Sequence, residues 1–164
     1  MKKGFSLIEI LVSVAIIGIL SGIGIQTFIA SRERARLEED VAKVVRAIRR
    51  TQNSALAPSR SSARSIGANQ QICAIKLMIN DSGDISTNYS VITTIPTGEP
   101  SPCGGTQEYG SLKDKLSYTT VSGATFEFQV PFATTSERSI TLIRGGGTLS
   151  KKITVTNTGL IKVE

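Results

Sequence analysis

Twenty-two consecutive residues, Ile10 to Ser31, carry no charge, and one carboxylate, Glu9, stands immediately before them. A helix of roughly 20 apolar residues, at about 1.5 Å rise each, is long enough to cross a bilayer. A carboxylate in such a segment costs about 2.5–3.5 kcal/mol at the helix centre and less near an end, and it usually has a partner. Glu9 therefore has to be explained. Lys2 and Lys3 precede the run. A basic flank marks the cytoplasmic side, so the chain is expected to insert N-in and C-out. An ordinary secretory signal fits poorly, because its apolar region is shorter, about 7–15 residues, and ends at a small-residue cleavage site. Here Phe28 occupies the small-residue position of a cut after Ala30. A plain single-pass anchor would leave Glu9 and the Gly4-Phe5 junction without a purpose.

The opening Met1-Lys2-Lys3-Gly4-Phe5-Ser6-Leu7-Ile8-Glu9 resembles the N-terminus of type IV pilins and type II secretion pseudopilins, over residues 1–30. The resemblance implies that a prepilin peptidase cuts after Gly4 and that the new amino group of Phe5 is N-methylated. It also implies that Glu9 recruits the subunit and pairs with the N-terminal amine of a neighbour. The implied partners are other pilins or pseudopilins met through the helix, the inner-membrane assembly platform and, before assembly, membrane lipid. The implied location is the inner membrane as a single-pass protein, then an extracytoplasmic fibre or pseudopilus.

The 164 residues leave room for one membrane helix and one small domain. The net charge is +6, and loss of Lys2 and Lys3 with the leader would leave +4. From Arg32 to Ser65 there are nine basic and four acidic residues, whereas Ile66 to Glu164 is balanced. Leu37, Val41, Val44, Val45 and Ile48 recur at spacings of three and four, which builds one apolar helix stripe. Pro58 stops the pattern, since proline removes a donor and clashes with the preceding turn. One helix from near Phe5 to about Ala57 is expected. The organisation read from the chain is a leader (1–4), a transmembrane and assembly helix (5–30), an amphipathic stem (31–57) and a β-rich domain (58–164). Many major pilins carry a proline near the position of Gln26, and its absence here leaves helix melting during assembly to Gly18, Gly22 and Gly24.

Beyond Pro58 the polar stretch Ser59–Ser65 reads as loop. Strands are expected at Ile72–Ile79, Tyr89–Ile95, Thr125–Val130 and Ile140–Ile143, with a turn at Asn80–Asp84 and a loop at Pro96–Gly105. Phe126 and Phe128 alternate with Glu127 and Gln129, which suggests a sheet with one wet face. Lys152–Val163 reads as a hairpin around Asn157–Gly159. The fold class is therefore α+β, a long helix packed on an antiparallel sheet. The ending Thr158-Gly159-Leu160-Ile161-Lys162-Val163, with the strand and glycine turn of Ser139–Gly147, resembles the GspH/FimT-like minor pilins and pseudopilins.

The chemistry is marked by absences. The chain has no histidine, which removes the commonest general base and a favoured zinc ligand. Gly145-Gly146-Gly147 lacks the Lys-Ser/Thr ending of a phosphate loop and reads as a glycine turn. Asp81 and Asp84 beside Gly83 lack the spacing and closing glutamate of a calcium loop. No enzyme, cofactor or metal is expected. Cys73 and Cys103 are too far apart for a C-x-x-C motif. An outward-facing compartment permits oxidation and favours a bridge between them, two free buried thiols being the alternative.

No acidic residue occurs from Val41 to Asn80. Lys43, Arg46 and Arg50 share helical spacing, and Arg60 and Arg64 in the following loop could extend them into a nucleic-acid patch. Few aromatics are present to stack on bases, and a solvated face or an acidic fibre neighbour is the plainer use. Arg32, Arg34 and Arg36 mixed with Glu33, Glu38, Glu39 and Asp40 suggest helical or intersubunit ion pairs. The expected function is a structural minor subunit of a type IV pilus. A GspH-like secretion pseudopilin and a DNA-binding minor pilin of a competence pilus are the alternatives.

Overall fold

A computed structural model describes residues 6–58, 70–93, 103–108, 114–117, 120–121, 124–133 and 135–164. The chain divides into two compact units, Met1–Arg36 and Leu37–Glu164. One helix, α1 (Leu7–Leu56, 50 residues), supplies the whole described part of the first unit and the opening of the second. Ser6 stands at its N-cap position, where its carbonyl accepts the Glu9 and Ile10 amides at 3.1 and 3.3 Å. Pro58 follows its end, as the sequence leads one to expect.

The second unit continues with β1 (Gln70–Ile79), β2 (Asp84–Thr93), β3 (Gly104–Glu108), β4 (Asp114–Lys115), β5 (Thr120–Val121), β6 (Ala124–Gln129), β7 (Arg138–Arg144), β8 (Leu149–Val155) and β9 (Ile161–Val163). One sheet has the order β3-β2-β1-β6, with β4 also pairing β2, and the other has the order β5-β7-β8-β9. Every pairing is antiparallel. The fold is thus α+β, a long N-terminal helix followed by antiparallel sheets.

The period-2 pattern explains which faces are covered. Ile75, Leu77 and Ile79 of β1, Phe126 and Phe128 of β6, and Ile85, Tyr89 and Val91 of β2 all point into the core. Ile140, Leu142, Ile153 and Val155 from the other sheet join them, together with Leu37, Val41, Val44, Ala47, Ile48 and Ala55 of α1. Burial pushes the Tyr89 phenol pKa above its ordinary value. The turn between β1 and β2 uses Gly83 at φ 80°, where a Cβ would come within 3.2 Å of the Leu116 Cβ. Gly145, Gly146 and Gly147 all have positive φ in the turn joining β7 to β8, so the glycine run serves backbone geometry.

Several sequence expectations require correction. β2 begins at Asp84 and not at Tyr89. Its first half (Asp-Ile-Ser-Thr-Asn) has a polar face and only short hydroxyl or aliphatic groups on the other, which hid the alternation. Gly104 and Gly105, expected in a loop, open β3. The helix stripe is wider than expected: Leu37, Val41, Val44 and Ile48 lie in the core with the half-buried Val45 packed against it, and Ala47, Thr51 and the charged Asp40 are buried too. Thr51 offsets its burial by donating its hydroxyl to the Ala47 carbonyl at 2.9 Å.

Among the described residues one buried polar side chain lacks a partner. Ser90 is 1% exposed and its Oγ makes no hydrogen bond to a described residue. An unpaired buried hydroxyl costs about 1–3 kcal/mol. Ser90→Ala is therefore expected to stabilise the protein by about 1 kcal/mol. Urea unfolding would check this, and a clear loss of stability would show that Ser90 has a partner such as buried water.

Candidate assembly site

From Ile10 to Ser31, α1 carries no charge, and the described side chains of this stretch are exposed. Leu7 is 79% exposed and Leu20 65%, and Ile8, Leu11, Val14, Ile17, Phe28 and Ile29 are exposed with them. Leu7, Ile10, Leu11, Val14 and Ala15 follow i, i+3, i+4, i+7, i+8 spacing and share a face. A helix apolar on every side is stable only when buried, in lipid or among other helices. The segment is long and apolar enough to cross a membrane once.

Glu9 lies in the first turn of this helix, where a carboxylate is favoured by the helix dipole. Its side chain is exposed and forms no ion pair with any described residue. One turn on, Ser13 donates its hydroxyl to the Glu9 carbonyl at 2.7 Å. Gly4 and Phe5, the expected cleavage and methylation positions, lie outside the described residues, as do Arg60 and Arg64 of the basic patch.

The stem carries local ion pairs. Arg36 and Glu33 are 3.6 Å apart. Lys43 Nζ lies 3.1 Å from Glu39 and 3.4 Å from Asp40. The hydrogen bond that Lys43 donates to Glu39 first, and its contact with Asp40 after it, raise the Lys43 pKa above the ordinary lysine value despite opposing desolvation. Lys43 thus serves its own helix and is not a free cation for a patch. Arg46 and Arg50 are exposed, and so is Arg49 between them. Lys76, further along the acid-free span, pairs with Glu127 at 3.4 Å.

Two features were not anticipated. Asp40 is fully buried, with Oδ2 3.7 Å from Nη1 of Arg144, itself only 5% exposed. The Ser117 amide donates to Asp40 Oδ1 at 3.2 Å, and Arg144 donates to the Ser117 carbonyl. The signal in the sequence was faint: Asp40 falls at i−4 and i−7 from Val44 and Ala47, on the buried side of the helix. Second, Gln52 Nε2 donates to the Gly159 carbonyl at 2.7 Å, tying α1 to the turn between β8 and β9. Cys73 and Cys103 are joined as a disulfide with a Cα–Cα distance of 6.0 Å. Among the described residues no three of Cys, Asp and Glu gather as metal ligands.

Residues 1–25 match the family model described as the prokaryotic N-terminal methylation motif. The motif supports a type IV pilin-like or pseudopilin precursor and points to a structural protein. Motif and apolar helix together support a single-pass membrane anchor, cleavage by prepilin peptidase and assembly with other pilins. No curated protein and no solved structure gives a significant match.

Proposed function

We propose that this protein is a minor structural subunit of a type IV pilus, of the GspH/FimT-like kind, cut after Gly4 and held in its fibre by α1. The observation that carries the reading is Glu9: a carboxylate with no ion pair among the described residues, at the start of an exposed apolar helix and inside a methylation motif. A carboxylate there is costly in lipid and gains most from a cationic partner. Cleavage after Gly4 creates such a cation on the neighbouring chain's Phe5. Assembly, and not catalysis, is then the work of the molecule. The apolar helix packs against neighbouring helices.

Intact mass of the protein taken from its native membrane or fibre tests the reading. Loss of Met1 to Gly4 with gain of one methyl group supports it. A population that retains those four residues throughout returns the chain to a plain anchor. A second result is expected from Glu9→Leu. Insertion should persist, because the change removes a charge costing about 2.5 kcal/mol or less near a helix end. Incorporation into sheared fibres should fall to background on immunoblots. Undiminished incorporation would remove Glu9 from the assembly mechanism.

A further inference from the structure

The first residues of α1 carry a helix-start signature that assembly through Glu9 does not by itself call for. α1 begins at Leu7, which puts Ser6 at the N-cap, Leu7 at N1, Ile8 at N2 and Glu9 at N3. Serine at the N-cap with glutamate at N3 is the capping-box pair. In that box the serine hydroxyl oxygen accepts the N3 amide, and the glutamate carboxylate accepts the N-cap amide. Phe5 and Ile10 stand at N′ and N4, the two positions where apolar residues commonly accompany the box. Ser6 and Glu9 are both exposed, and neither side chain is engaged by another described residue. The Glu9 amide uses the Ser6 carbonyl at 3.1 Å, which the Ile10 amide also takes at 3.3 Å. Closing the box calls for rotation of two exposed side chains and leaves the shared carbonyl to Ile10.

The uncut chain gives this pair a use. While the bond between Gly4 and Phe5 is intact, Phe5 has no free amine, so the cation assigned to Glu9 in the fibre does not yet exist. A carboxylate in an apolar segment needs a partner at that stage too. The first amides of a helix lack intrahelical acceptors and carry the positive end of its dipole. The Ser6 amide belongs to that set and lies one turn before Glu9. We propose that Ser6 and Glu9 close the capping box in the uncut precursor, and that Ser6 is a positioning residue. It holds the Glu9 carboxylate at the helix start until an assembling neighbour supplies a cation. The inference rests on the role given to Glu9 above and adds what that residue does before assembly. Two full charges attract more strongly in a water-poor site than a carboxylate and one amide dipole do. The box therefore shelters the carboxylate without blocking the later exchange of partners.

The test uses the full precursor in lipid bicelles, made without prepilin peptidase so that Met1 to Gly4 remain, with amide hydrogen exchange read by NMR. Alanine at an N-cap typically weakens a helix start by about fivefold. Ser6→Ala should therefore speed exchange of the Glu9 amide by about fivefold, and Glu9→Leu should do the same to the Ser6 amide. Ser6→Thr and Glu9→Gln keep the chemistry of the box and should hold both amides within about twofold of their native rates. The amides of Ile16 and Ile17, about two turns further on, should respond to none of these changes. A Ser6 amide indifferent to Glu9→Leu, or a Glu9 amide indifferent to Ser6→Ala, would overturn the inference. Equal loss of protection at Ile16 and Ile17 would overturn it too, because that is general fraying and not a box. Glu9→Gln separates the two levels, since it keeps the box and removes the charge. Its precursor should show native exchange, and its processed form should be missing from sheared fibres. Indifferent amides with missing fibres sink the box alone, whereas normal entry of Glu9→Gln into fibres sinks the Glu9 contact of the fibre reading.

Discussion

Asp40→Ala is expected to destabilise the Leu37–Glu164 unit by about 3–5 kcal/mol, the usual loss when one partner of a buried ion pair is removed. The carboxylate is 0% exposed and lies between the Arg144 guanidinium, the Ser117 amide and the Lys43 ammonium. Without it, Arg144 keeps its charge inside the protein and loses the carboxylate 3.7 Å from its Nη1. The Ser117 amide loses an acceptor at the same time. Asp40→Asn keeps the shape and one acceptor but not the charge, so it should fall between alanine and the native residue. Asp40→Leu combined with Arg144→Met removes both charges and should recover more than half of the loss, since a buried pair is often no better than apolar side chains of similar size. Urea unfolding of the detergent-solubilised full chain measures all four. A loss below about 1 kcal/mol for Asp40→Ala, or losses that simply add in the double variant, would mean that the two charges are not coupled.

The same residue shows where the sequence stopped being legible. The motif around Gly4, Phe5 and Glu9 and the uncharged run after it are local features. They need no tertiary contact to be read, and they carry most of the functional reading. β1, β6, β7 and the β8–β9 hairpin also announce themselves, because inward Ile, Leu, Val and Phe alternate with polar residues. β3, β4 and β5 do not. They are 5, 2 and 2 residues long, and their residues become strands by pairing with β2 or β7. A two-residue strand has no period to detect. In the sequence Asp40 is one of a mixed set of stem charges, since hydrophobicity alone places a carboxylate on the wet side. Its partner Arg144 lies 104 residues away (144 − 40), so no local spacing reports the pair. For the same reason the sequence groups Lys43 with a basic patch. Its neighbours at i−4 and i−3, Glu39 and Asp40, were visible, but only the burial of Asp40 shows how fully the charge is committed to the helix.

Replacing both cysteines (Cys73→Ala with Cys103→Ala) is expected to lower stability by about 3–4 kcal/mol, the chain-entropy contribution for a loop of this size. The sequence separation is 30 residues. For a unit of this size the melting temperature should fall by about 10 °C. The topology says where the effect should appear. In the sheet order β3-β2-β1, Cys73 lies on β1 and Cys103 immediately precedes β3, so the bridge reaches past β2. Two regular strand spacings would set β1 and β3 about 9–10 Å apart. The two Cα atoms are 6.0 Å apart, and the pairing registers shift beside them, between Ile72 and Ala74 and between Tyr89 and Val91. Among the described residues β3 pairs with β2 alone, so the bridge and that ladder are its two described attachments. Amides of Gly104–Glu108 should then exchange with solvent well before those of β7 and β8, which are tied to partners elsewhere in the core. Reduction of the native protein should reproduce both effects. If β3 keeps its protection and the melting temperature is unchanged, the bridge contributes nothing and the β2–β3 ladder suffices by itself.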